Sequence, residues 1–168
     1  MSGEIINRVA SSSLITFNLA DYYTSGERRT LDIKDWLFMG LMLKEKEFRE
    51  SLRQHDWSSY TGKCVAVFCS ADAIVPTWAY MLIATYLQPV TQHFMFGKPE
   101  ELETVLFFKA LDKIDFSIYQ GQKIVIKGCS EIHVPEAIYV EATRRLLPYA
   151  QKISYGEPCS TVPLYKAP

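Results

Sequence analysis

Apolar residues alternate with polar ones over residues 13–19, Ser-Leu-Ile-Thr-Phe-Asn-Leu, a period of two that predicts a half-buried strand. Thr24-Ser25-Gly26 reads as a turn, and Thr30 to Ile33 as a short second strand. Asp32 or Asp35 is then placed to cap a long helix reaching about Gln54. Trp36, Met39, Leu43, Phe48 and Leu52 form its apolar side, and Glu45 and Arg49 pair on its wet face. Cys64 to Phe68 is a continuous apolar run, as in a strand covered on both faces. Pro76 suits the first turn of a helix running to about Leu87, where a missing N–H costs nothing. That helix is apolar almost all round (Trp78, Tyr80, Met81, Leu82, Ile83, Tyr86), so it belongs at the centre of the fold or at a subunit interface. His93 to Phe96 reads as a strand, and Pro99-Glu100-Glu101 opens a helix to about Leu111.

The same order then returns. Lys123 to Ile126 reads as a strand, Pro135 to about Leu147 as a helix, and Ile153 to Tyr155 as a strand. Here the helix is two-faced, with Ile138, Ala142 and Leu146 opposite Glu141, Arg144 and Arg145. Residues 56–99 align on 115–158 without a gap, and Asp56, Tyr60, Gly62, Pro76, Tyr80, Pro89, Gly97 and Pro99 have identical counterparts. Such a match predicts duplication of a supersecondary unit. The tail from Thr161 to Tyr165 is apolar enough to pack down. Strand–helix–strand units favour parallel pairing. The chain therefore predicts a single α/β domain over 1–168, with a mixed or largely parallel sheet built on an internal strand–helix–strand duplication.

Composition narrows the function classes. The chain has 168 residues, 48% of them hydrophobic and 13% aromatic, enough for a packed core. Its net charge is -1 and its basic residues are dispersed, which argues against a nucleic-acid surface. The longest apolar run, Trp78 to Leu87, is too short to span a bilayer, and the first residues do not read as a secretory signal. A cytoplasmic protein is expected, whose four cysteines are free thiols or ligands. No CxxC pair, GxGxxG, P-loop, GxSxG or HExxH pattern occurs.

The remaining chemistry gathers where each copy bends. Cys69 ends one repeat strand, Cys129 ends its counterpart, and Cys159 follows the last strand. With parallel strands, all three thiols are expected beyond strand carboxyl ends on one sheet edge, where open α/β sheets place their sites. Asp72 aligns with Glu131, and His133 lies four residues after Cys129. Three thiols with Asp72 or His133 as fourth ligand would suit zinc or iron, and three thiolates could hold an iron–sulfur cluster. The alternative reading packs the cysteines as small hydrophobes in a non-catalytic, homodimeric interaction module. A third makes Cys129 or Cys159 a nucleophile with His133 as its base. Ser70 and Asp72 also read as turn or cap residues, Cys64 as core, and Tyr80 and Tyr139 as packing residues that reach the same loops.

Several strings are more specific than these types. Asn7-Arg8-Val9-Ala10, Asp32-Ile33-Lys34-Asp35-Trp36-Leu37, Cys69-Ser70-Ala71-Asp72-Ala73-Ile74-Val75-Pro76-Thr77-Trp78-Ala79-Tyr80, Lys127-Gly128-Cys129-Ser130 and Gly156-Glu157-Pro158-Cys159-Ser160-Thr161-Val162-Pro163-Leu164-Tyr165-Lys166 span the chain. Together they resemble the bacterial domain of unknown function 2480 family. The resemblance implies a small cytoplasmic protein of the Bacteroidetes group, and iron–sulfur assembly proteins as candidate partners. It implies no activity.

Overall fold

The computed structural model describes residues 14–168, so the Asn7–Ala10 string and the Ser13 start of the first expected strand lie outside the described residues. The fold is α/β with largely parallel strands, grouped into two compact units. One unit is Ser25–Val105; the other joins residues 14–24 to Leu106–Pro168.

In the unit Ser25–Val105, strands β2 (Arg28–Asp32), β3 (Cys64–Phe68) and β4 (Phe94–Phe96) form a parallel sheet in the order β2-β3-β4. Helix α1 (Glu45–Gln54) connects β2 to β3, and α2 (Thr77–Leu87) connects β3 to β4. Leu31, Ile33, Val65 and Val67 pack with Phe48 and Leu52 of α1 and with Ala79, Ile83 and Leu87 of α2. The long helix expected from Asp32 or Asp35 is interrupted. Asp32 caps only a 3-10 turn, Ile33–Trp36, by accepting the Lys34 N–H at 3.1 Å. Met39 and Gly40 then take positive φ values of 52° and 71°, which no right-handed helix accommodates. The helix restarts at Glu45, and the expected Glu45–Arg49 pair closes at 2.9 Å. Helix α2 buries one face but leaves Met81 66% exposed.

The other unit holds a four-stranded sheet in the order β1-β5-β6-β7, formed by β1 (Leu14–Asn18), β5 (Lys123–Lys127), β6 (Lys152–Glu157) and β7 (Ser160–Lys166). Only β7 runs antiparallel, and it is the form taken by the apolar tail. Helix α4 (Glu136–Leu146) and the part of α3 (Leu102–Leu111) from Leu106 onward supply Leu111, Phe107, Ile138, Ala142 and Leu146 to a core with Phe17, Ile124, Ile126 and Ile153.

The aligned segments adopt the same elements. Asp56 and Asp115 each cap a 3-10 turn, accepting from Ser58 and Ser117 N–H at 3.1 and 3.0 Å. Gly62 and Gly121 follow with φ of 67° and 70°, a conformation cheap only for glycine. Their N–H groups donate to the Val90 and Tyr149 carbonyls, which ties each strand start to the end of the following helix. Pro76 and Pro135 then stand at the N-caps of α2 and α4.

Candidate functional site

The three candidate cysteines follow parallel strands, as the pattern implied, but strands of two different sheets. Cys69 follows β3, whereas Cys129 follows β5 and Cys159 occupies the turn of the β6–β7 hairpin. Strand pairing is decided by non-local register, so a local pattern reports the end of a strand without reporting which sheet it joins. Among the described residues no group of three or more His, Cys, Asp or Glu side chains is placed to hold a metal ion. All four cysteines are free thiols: Cys64 is buried, Cys69 half-buried, and Cys129 and Cys159 exposed. Asp72, Glu131 and His133 are exposed.

Behind Cys69 the strand ends are closed off by hydrogen bonds. Ser70 donates through its N–H (3.1 Å) and its hydroxyl (2.5 Å) to the Asp32 carboxylate, and the Cys69 thiol donates to the Ala71 carbonyl at 3.6 Å. Partial burial opposes charge on Asp32, but the bonds from Ser70 and Lys34 outweigh it and hold the carboxyl below its usual value. Burial pushes the Tyr80 hydroxyl up, with Cys69 and Asp32 adding to the shift, and its ring packs on Phe96 at 4.5 Å. Ser70 is thus a loop clamp. His55, unassigned in the sequence, packs between Trp36 and Trp57 at 5.1 and 4.8 Å, and burial lowers its pKa.

The corresponding loop after β5 is open. The Glu131 N–H donates to Cys129 Sγ at 3.4 Å, and the thiol borders a cavity of about 280 Å³ with Lys127, Tyr139, Tyr155 and Glu157. Lys127 Nζ pairs with the Glu157 carboxylate at 3.1 Å across the neighbouring strands. Gly128, aligned with Cys69, has no side chain, and the Tyr139 hydroxyl fills the place a Cβ would take. Burial pushes this hydroxyl up, with Tyr155 and Glu136 contributing, and the two tyrosine rings meet edge-on at 5.8 Å.

The same two rings also line a groove of about 780 Å³. Helix α4, through Glu136, Val140 and Arg144, and the C-cap residue Leu147 form one wall, and Tyr155 and Leu164 of the hairpin form the other. His133 stands at one end. Val140 is 69% exposed and Leu164 51%, although both are aliphatic. Beneath Arg144, Glu141 accepts from Arg144 (2.8 and 2.6 Å) and from Arg145 (2.7 Å). The Arg144 bond outweighs the effect of burial, Arg145 adds to it, and the Glu141 pKa falls to about 2. The groove escaped the sequence reading, although Val140, an apolar residue on the polar side of an amphipathic helix, was the available signal.

A family model described as a protein of unknown function (DUF2480) matches residues 3–167. The chain is a member of the DUF2480 family. No curated protein and no solved structure matches it. Among the described residues, no helix of this DUF2480 member is long and apolar enough to cross a membrane.

Proposed function

We propose that this DUF2480 member is a homodimeric interaction module that receives a second copy of itself in the groove between α4 and the β6–β7 hairpin. One observation carries the reading. Val140, Leu147, Tyr155 and Leu164 present a contiguous apolar surface along a concavity whose far wall is a helix, and patches of this kind mark interaction sites. A cytoplasmic setting suits four free thiols. The zinc, iron or iron–sulfur reading draws on Cys69, Cys129 and Cys159, but no donor group among the described residues supports it. Sedimentation equilibrium across a wide concentration range tests the proposal. Reversible dimerisation weakened by Val140→Glu is expected; a wild-type chain that stays monomeric throughout refutes it.

A thiol chemistry is a second reading, favoured by the exposed Cys129 thiol, which accepts the Glu131 N–H and borders a cavity. Its test is the rate of alkylation by iodoacetamide at a single pH, read at Cys129 and Cys159 by mass spectrometry. Cys129 should react faster than Cys159, and equal rates count against it.

A further inference from the structure

Resting on that reading, we infer that the two copies pair α4 against α4 in antiparallel fashion about a twofold axis at Val140. Glu136 of each chain then meets the partner's Arg144. Glu136, Val140, Arg144 and Leu147 all line the groove, and residues three or four apart share one helix face. An isologous contact must be complementary to itself. Reversing α4 about Val140 lays position 136 on 144, because each stands four residues from the axis, about 6 Å along the helix. The reversal also lays His133 on Leu147.

Charge selects this direction. Glu136 is exposed in the first turn of α4 and Arg144, 69% exposed, in the last, so each also suits its own helix dipole. Antiparallel pairing makes two Glu–Arg contacts per dimer, whereas parallel pairing sets Glu136 on Glu136 and Arg144 on Arg144. Arg144 already donates to Glu141 in its own chain, but its exposure leaves part of the guanidinium open to a second carboxylate. On α2 the aligned face carries Thr77, Met81 and Thr85 and no charge, so the same selection is absent there. The helix of one copy would lie in the groove of the other, with Val140 meeting its mate at the axis and Leu164 and Tyr155 covering the sides.

The test is a charge-reversal set on the full chain, followed by sedimentation equilibrium. Arg144→Glu and Glu136→Arg should each weaken self-association at least about tenfold, since like charges then face each other twice. Mixing the two variants should restore a heterodimer, because every contact is again opposite in sign, and the doubly reversed chain should dimerise like wild type. A thermal melt checks that each variant is folded. Independently, Val140→Cys in a chain carrying Cys129→Ser and Cys159→Ser should form an interchain disulfide on mild oxidation, with no such product when Val140 is retained. If wild type dimerises but the reversals do not weaken it, or the mixture associates no better than its components, the register is overturned while the homodimer reading stands. A wild-type chain that remains monomeric overturns both and assigns the groove to a different partner.

Discussion

Gly128→Ala probes the strand-end packing most directly. Gly128 does not adopt a positive φ, so the backbone there tolerates alanine; the obstacle is the Tyr139 side chain. A Cβ at this position would fall well inside contact distance of Tyr139 Oη and 3.1 Å from Cζ. Tyr139 must therefore turn away from β5, giving up its edge-on contact with Tyr155 and part of its packing on the core around Ile138. Overpacking of this kind costs about 1–3 kcal/mol, or roughly 4–8 °C in Tm for 2 kcal/mol in a chain of this size. Tyr139→Phe removes the clashing oxygen and leaves Cζ as the nearest atom, a contact relieved by a shift of a few tenths of an ångström. In that background the alanine should cost under about 1 kcal/mol, so a penalty of about 2 kcal/mol in wild type corresponds to a coupling above about 1 kcal/mol in a double-mutant cycle. Urea unfolding followed by tyrosine fluorescence and circular dichroism supplies all four corners. A Gly128→Ala chain within about 0.5 kcal/mol of wild type, or one with the same penalty in both backgrounds, would refute the steric argument. Because Tyr139 also lines the groove, its displacement should weaken self-association in the same preparation.

Other outcomes follow from single contacts. Glu141 has a folded pKa of about 2 against an ordinary 4.5, so the stability it contributes is present above pH 4.5 and disappears as pH falls toward 2. Glu141→Gln should cost about 1 kcal/mol at neutral pH and flatten the loss of stability below pH 4.5; urea midpoints across pH 2–7 check both. Thr91 is buried, donates to the Lys63 carbonyl at 2.6 Å and accepts from the His93 N–H at 3.1 Å. Thr91→Val should therefore cost about 1–3 kcal/mol and Thr91→Ser much less, and equal midpoints for the two would contradict the assignment. In the native protein iodoacetamide should label Cys129 and Cys159 first and Cys69 slowly. Cys64, buried and with its thiol pushed up by that burial, should react only on unfolding; peptide mapping at timed intervals would expose the mistake if Cys64 kept pace.

The amino-acid sequence determined what depends on neighbours in the chain. Continuous apolar runs at Cys64–Phe68 and over residues 124–126 made parallel strands, and Pro76 and Pro135 opened the helices after them. Gly62 and Gly121 supplied positive φ at equivalent turns. The location of three cysteines at strand ends was legible for the same reason. Local pattern misjudged the stretch after Asp32, where apolar spacing continued a helix that Met39 and Gly40 break through their backbone conformation. Tertiary structure alone decided the rest. β1 pairs with β5, far away in sequence, while β3 pairs with β2 and β4, so the strands divide into two sheets and the thiols are divided with them. Val140 and Leu164 become one surface only when β7 folds back along β6 under α4. Local periodicity records which face of an element is apolar, but which apolar faces find a cover is set by long-range pairing; among the described residues Val140 on α4, like Met81 on α2, is left exposed.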